Sequence, residues 1–295
     1  MSLTDEVRDV RDLYDRWSSG YDADEMLETE YVHLNKEYLQ TFEKYRNKIR
    51  PGLVLDLGCG TGNDAIALVR LGFKVVGLDV SSRSLEIARQ KVERLRLKPQ
   101  VDFVVCDIHH LPITKRSADS IVSLGFMLSH TPHLSSVIRE ISRILRDHGY
   151  FILDFEGKKS LDLPFWIADT VMRRDFLGNE SLTFRSFVGF LRTGSFQWKC
   201  NSRTKGFLGS ISLYATSPAQ ATGILKANNL VPNGIHVVQM MRSLYAISSY
   251  HPVLDKVTRV IAKNLGHKVK KMKLTSFLAD AFLIAGYKQE SNALA

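Results

Sequence analysis

The chain has 295 residues, 44% hydrophobic and 24% charged, the balance of a globular protein with one large core, or one core and a smaller lobe. Its 40 Lys and Arg against 31 Asp and Glu leave a net charge of +9, which favours polyanionic partners in general and selects none of them. Cys59, Cys106 and Cys200 are far apart, with no C-x-x-C pair and no His at ligand spacing, so neither a disulfide framework nor a metal site is expected.

The first 50 residues read as a helical N-terminal cap. The opening MSLTDEVRDVRDLYDRW is charged and lacks an apolar leader core, which with the unpaired cysteines makes the cytoplasm the expected compartment. Val7, Val10, Leu13, Tyr14 and Trp17 fall at helical spacing. Gly20 reads as a break before a second helical stretch over residues 28–48, and Arg50-Pro51-Gly52 punctuates the chain before the first strand.

From Gly52 short apolar runs alternate with amphipathic segments. Strands are expected at residues 53–57, 74–78, 102–105, 120–124 and 151–155, and their continuous Val/Ile/Leu character fits a parallel sheet buried on both faces. Leu85, Ala88, Val92 and Leu95 share one helical face between them, as do Val137, Ile138, Ile141, Ile144 and Leu145. The rhythm predicts a Rossmann-like, doubly wound α/β core over residues 51–157.

After Phe155 the rhythm changes. Residues 158–216 read as an inserted α+β lid or substrate lobe, with a helix near 163–176 and strands at 182–191, 195–202 and 209–214. Its Phe165, Trp166, Phe176, Phe184, Phe187, Phe190, Phe196 and Trp198 suit either the wall of an apolar pocket or the inner face of a β-layer. Ser217-Pro218 opens a helix, Ser as cap and Pro at its first position. Residues 217–295 then complete a mostly parallel seven-stranded sheet with strands at 235–240 and 282–287. Between these, residues 253–273 form a basic amphipathic helix with two readings. It is a core-facing helix with a solvated side, or a peripheral contact for anionic membrane or RNA.

The most informative stretch is Val54-Leu55-Asp56-Leu57-Gly58-Cys59-Gly60-Thr61-Gly62-Asn63. A buried strand turns through glycines straight into a helix, placing Gly58 and Gly60 where backbone must approach a ligand closely. A dinucleotide loop has the spacing G-x-G-x-x-G; here it is G-x-G-x-G, with Asp56 inside the strand. An acid there suits a cationic ligand better than a pyrophosphate. Cys59 reads as a small filler of the loop, since no base is near it in sequence. Asp79 ends the second strand, where a carboxylate can accept both ribose hydroxyls. Asp107 follows the third strand and can accept from an adenine amino group, with Val80 and Ile108 offering apolar faces to the ring.

These stretches, followed by SADSIVSLGFMLSH and ISRILRDHGYFILDF, resemble the class I S-adenosylmethionine-dependent methyltransferases in order and spacing over about residues 50–156. The relatives meant are of the small-molecule, ubiquinone-biosynthesis-like type. The resemblance implies that Gly58, Gly60 and neighbouring backbone hold the methionine moiety of S-adenosyl-L-methionine, Asp79 the ribose, and Asp107 with Ile108 the adenine. It also places Leu124 and Gly125 beneath the sulfonium. Tyr14-Asp15-Arg16-Trp17 and Tyr21-Asp22 look like the family's N-terminal cap, in which an aromatic residue closes over the cofactor; Tyr14 and Tyr21 are either such contacts or packing residues. Asp147-His148-Gly149 departs from the family's usual Pro-Gly-Gly-like turn, at the far end of the sheet.

His130 follows the fourth strand, with two readings: a structural or positioning residue, or a general base for the acceptor. His109, His110 and His133 read as surface-loop residues. No Asn/Asp-Pro-Pro-Tyr/Phe motif follows the fourth strand, which disfavours exocyclic-amine and amide acceptors. Methyl transfer to a small-molecule or lipid-like acceptor is the expected function. The alternatives are a tRNA modified-base methyltransferase, supported by basic charge alone, and a non-catalytic binding protein on the same fold.

Overall fold

The computed structural model describes residues 3–27, 38, 40–49, 52–158, 189–190, 192–239 and 280–290. Helix α1 (Leu3–Leu27) is followed by β1 (Leu53–Leu57), α2 (Asn63–Arg70), β2 (Lys74–Asp79), α3 (Ser82–Arg94), β3 (Val101–Val105), β4 (Ala118–Ser123), α4 (Leu134–Ile144) and β5 (Leu145–Glu156). Then come β6 (Ser195–Ser202), β7 (Gly206–Tyr214), α5 (Pro218–Ala227), β8 (Leu230–Gln239) and β9 (Ala281–Lys288). The main sheet has seven strands in the order β3-β2-β1-β4-β5-β9-β8. The β1–β2, β1–β4, β2–β3 and β4–β5 pairs are parallel, and β9 runs antiparallel to β5 and β8.

Both faces of this sheet are covered, which is why its strands carry continuous apolar runs. On one face lie Ala65, Leu68, Leu85, Ala88 and Val92 of α2 and α3 with Phe42 and Tyr45; on the other, Val137, Ile138 and Ile141 of α4 with Ala221 and Leu225 of α5. Gly62, the N-cap of α2, shows how tightly that helix is seated. Its φ is +81°, and a Cβ there would lie 2.9 Å from the Ala88 methyl and 3.2 Å from the Phe103 ring. The Ser217 cap of α5 is a full capping box with Gln220, and Pro218 opens that helix as expected.

Several boundaries differ from the sequence-based expectation. Gly20 does not break the N-terminal segment, because α1 continues to Leu27. The glycine serves packing instead: a Cβ would strike Thr204 Oγ1 in the β6–β7 turn. Strand β8 begins five residues before 235, its register shifting around Pro232 and Gly234, where proline cannot donate a ladder bond. β5 starts at Leu145, so the apolar end of the preceding helical pattern is partly strand.

Strands β6 and β7 form a separate antiparallel hairpin. It packs on α1, with Leu13 and Trp17 buried against Cys200, Ile211 and Leu213. The helix near 163–176, the strand at 182–191 and the basic helix at 253–273 lie largely or wholly outside the described residues. No helix among the described residues is long and apolar enough to cross a membrane.

Candidate active site

The strand order reverses between β1 and β4, and a cleft of about 1120 Å³, open to solvent, lies there at the carboxyl ends of the strands. Tyr14, Tyr21, Gly58, Cys59, Gly60, Asn63, Asp79, Val80, Asp107, Ile108, Leu124, Gly125 and His130 all line it. Asp56 does not. It is 1% exposed, on β1 beneath the glycine loop.

The loop's own hydrogen bonds show what it can hold. Gly58 and Cys59 N–H both donate to the Leu78 carbonyl, at 2.7 and 3.2 Å, and Gly60 N–H donates to Asp79 Oδ2 at 2.8 Å. Three consecutive amides are therefore engaged within the protein, whereas a phosphate cradle needs them pointing at the ligand. The positive end of α2 is likewise answered by carboxylates: Asp64 stands in its first turn, and Asp56 takes the Ala65 N–H. Gly60 has φ +50°, and a Cβ there would meet no atom within 4 Å, so bare backbone faces open space.

Asp79 takes Ser81 N–H on Oδ1 at 2.8 Å, which locks the carboxylate at the β2 tip. Asp107 Oδ1 takes the His109 backbone N–H at 2.9 Å and ring Nδ1–H at 2.6 Å. No Lys or Arg is among the described residues lining the cleft. Burial and mutual repulsion act on its carboxyls accordingly. Desolvation pushes Asp64 to about 6, and desolvation with the nearby Asp64 charge pushes Glu25 to about 7. Asp56 is raised by burial, then by Asp64 and Asp79, and its Oδ2 has no partner among the described residues.

The methyltransferase-domain sequence family matches residues 54–149. Residues 54–149 are a class I methyltransferase domain. Among curated relatives, the demethylmenaquinone methyltransferase of Lactobacillus johnsonii is 35% identical over 155 residues, covering 50% of this chain and 62% of that one. Methyltransferase GfsG of Streptomyces halstedii is 40% identical over 111 residues, 37% of this chain and 40% of the relative. The chain thus spans less than two thirds of the length of either. Solved structures share the fold: a SAM-dependent methyltransferase from Methanosarcina mazei has a TM-score of 0.55 at 17% identity, over 84% of this chain and 98% of that one. Geranyl diphosphate C-methyltransferase from Streptomyces coelicolor A3(2) gives 0.52 at 14%, over 85% and 79%.

In the methyltransferase domain the segment after β4 is anchored from two sides. Gly125 and Phe126 both adopt left-handed backbone, φ +81° and +65°, which is unfavourable for a phenylalanine. Phe126 N–H donates to Asp154 Oδ2 at 2.8 Å, and the Tyr38 hydroxyl donates to the same oxygen at 2.6 Å. Asp154, on β5, is fully buried, and that burial raises its carboxyl to about 7. His130 Nδ1 lies 2.9 Å from the Phe126 carbonyl, which can only accept, so Nδ1 carries the proton. Nε2 then accepts from the Tyr14 hydroxyl at 3.0 Å, and burial lowers the imidazole's proton affinity.

Sequence reasoning missed Glu25, Tyr38, Asp64 and Asp154, and placed His109 in a surface loop. His109 is instead 4% exposed, closed in by Asp107 and by Thr131 Oγ1 at 2.8 Å. Val7 and Val10 had a legible signal, because they share the helical face of Tyr14 and line the cleft with it. Tyr38 and Asp154 had none, since they meet across 116 residues of chain.

Proposed function

We propose that the chain binds S-adenosyl-L-methionine and transfers its methyl group to a small-molecule or lipid-like acceptor. One observation carries this: a glycine loop whose amides are engaged internally, beside acidic strand tips and with no described Lys or Arg on the cleft wall. That donor set suits a nucleoside with a positive charge and no phosphate. The unpartnered Asp56 Oδ2 and the raised Asp64 and Glu25 carboxyls are where a neighbouring cation relieves repulsion. When bound, the cofactor supplies an electrophilic methyl on a sulfonium.

The residues then divide the work. Asp79, with both oxygens already fixed by backbone amides, keeps lone pairs for the ribose hydroxyls. Asp107 keeps Oδ2 for the adenine amino group, and Val80 and Ile108 line the ring's site. Gly58, Cys59, Gly60 and Asn63 border the methionine end, and Leu124 and Gly125 the floor beneath the sulfonium. Val7 and Val10 put an apolar patch on the α1 wall, fitting an acceptor of low polarity. Demethylmenaquinone, the acceptor that the name of one similar protein implies, is a molecule of the kind meant. Cys59, Cys106 and Cys200 form no disulfide, which fits the reducing cytoplasm.

Tyr14 and His130 take the acceptor's proton. The phenol proton already points at Nε2, so Tyr14 Oη presents lone pairs to the cleft. A proton leaving the acceptor passes to Oη as the phenol's own proton passes to His130. Tyr14→Phe keeps the ring and removes this path: kcat should fall about 100-fold, the lower end of general-base contributions, with cofactor affinity within about 3-fold. Incubation with labelled S-adenosylmethionine and a metabolite and lipid extract should yield a labelled product. An absence of label from every fraction, with the cofactor bound, sinks the proposed function.

A further inference from the structure

Asp107 is not a free carboxylate. One oxygen, Oδ1, takes two donors from one residue: the backbone N–H of His109 at 2.9 Å and its ring Nδ1–H at 2.6 Å. The ring is held in turn. His109 Nε2 lies 2.8 Å from Thr131 Oγ1, and Thr131 Oγ1 accepts the His133 backbone N–H at 3.0 Å. With the imidazole neutral, each proton in this chain has a defined place. The Asp107 carboxylate only accepts, so Nδ1 carries the imidazole proton; Nε2 is then a lone pair, and the Thr131 hydroxyl donates to it. His109 is 4% exposed and Thr131 2%, so water does not compete for either group. The carboxylate at the far end, with a side chain 30% exposed, lines the cleft.

The outcome is an asymmetric carboxylate. Oδ1 is saturated from behind, and Oδ2 is left as an acceptor with no donor of its own among the described residues. Such a group welcomes an N–H and repels a carbonyl oxygen. We infer that His109 is a positioning residue, locked by Thr131, which turns Asp107 Oδ2 to the nucleobase so that the cleft selects a 6-amino over a 6-oxo purine. This rests on the proposal that Asp107 faces the adenine of the cofactor. His109 does so without touching the reacting atoms, and it connects the β3 tip to Thr131, which follows the segment carrying His130.

The test is a ratio of dissociation constants, which a general loss of stability does not move. S-adenosylhomocysteine and S-inosylhomocysteine are titrated by calorimetry into the full chain. The wild type should prefer the amino ligand by about 10–100-fold, the span of a hydrogen bond to a charged acceptor. In His109→Leu the preference should fall to within about 3-fold. His109→Asn, whose side-chain amide can replace Nδ1–H, should restore most of it. Asp107→Asn, which places a donor where Oδ2 was, should abolish or invert it. A His109→Leu protein that binds both ligands more weakly yet keeps the wild-type ratio overturns the inference and leaves Asp107 as the nucleobase contact. A wild-type ratio near one, unmoved in Asp107→Asn, overturns the Asp107 assignment and the inference with it. Should His109→Leu fail to fold, Thr131→Val removes only the hydroxyl that locks the ring. Its preference should drop at least about 3-fold, and an unchanged ratio there overturns the inference equally.

Discussion

Carboxylates crowd the cleft more closely than their mutual repulsion favours. Glu25, Asp64 and Asp79 line it, and Asp56 lies behind the loop with one oxygen unpartnered. Burial leads the causes that put Asp64 at about 6 and Glu25 at about 7. A cation placed among them favours the ionised forms, so binding expels protons wherever the free protein still holds them. Affinity for S-adenosylmethionine should therefore rise from pH 5 to about pH 7 and level off above. S-adenosylhomocysteine lacks the sulfonium charge, so its affinity should rise less steeply. Parallel pH profiles, by calorimetry in matched buffers, would contradict the electrostatic account. Asp79 and Asp107 were legible in the sequence because one ends a strand and the other closely follows one, in a regular βαβ order. Glu25, Tyr38 and Asp154 were not, because their environments are assembled from segments remote in sequence, and His109 changed from a surface to a buried residue for the same reason.

Helix α1 presents two adjacent stripes. Val7, Val10, Tyr14, Tyr21 and Glu25 face the cleft, and Leu13 and Trp17 face the β6–β7 hairpin. Two aspartates fasten the helix to the methyltransferase domain. Asp15 Oδ1 accepts from Ser81 Oγ at 2.7 Å and from Arg83 N–H at 3.2 Å, at the start of α3. Asp22 accepts from Thr61 Oγ1 at 2.6 Å and from Lys91 Nζ at 2.8 Å. Asp24 ties the same helix to the hairpin, accepting from Trp17 Nε1 at 2.6 Å and Thr204 N–H at 3.1 Å. Five residues of this helix line the cleft, so the two fastenings should govern release of a ligand held there. The double variant Asp15→Asn, Asp22→Asn should raise the cofactor dissociation rate about 10-fold in stopped-flow displacement, the effect of about 1.4 kcal/mol. An unchanged rate would mean that α1 does not close the cleft. The amphipathic face of α1 was legible from residue spacing, but its continuity through Gly20 was not. A glycine reads locally as a break, whereas here a distant turn requires the space.

At the scale of the molecule, the chain enters the sheet at its centre, winds outward through β2 and β3, and returns to β4 and β5. The reversal leaves a crevice between β1 and β4, and because β1 to β5 are parallel their carboxyl ends all lie on that side. This much follows from the alternation of buried apolar runs with amphipathic helices, which is why the α/β order was legible. The antiparallel pairing of β9 with β5 and β8 leaves no comparable trace in apolar patterning, since β9 is buried on both faces at every position but Tyr287. Net charge was a poor guide in the other direction: the chain is +9 overall, yet the described ionisable lining of its cleft includes Glu25, Asp64, Asp79 and Asp107 and no Lys or Arg.

The central claim is that this acidic crevice binds a cationic nucleoside. Isothermal titration of the full chain with S-adenosylmethionine tests it most directly, run beside Asp79→Asn. Saturable binding at one site per chain, displaced by S-adenosylhomocysteine and weakened by about 1–3 kcal/mol in the variant, is the predicted result. Absence of binding at millimolar ligand, or equal affinity in the variant, would contradict it.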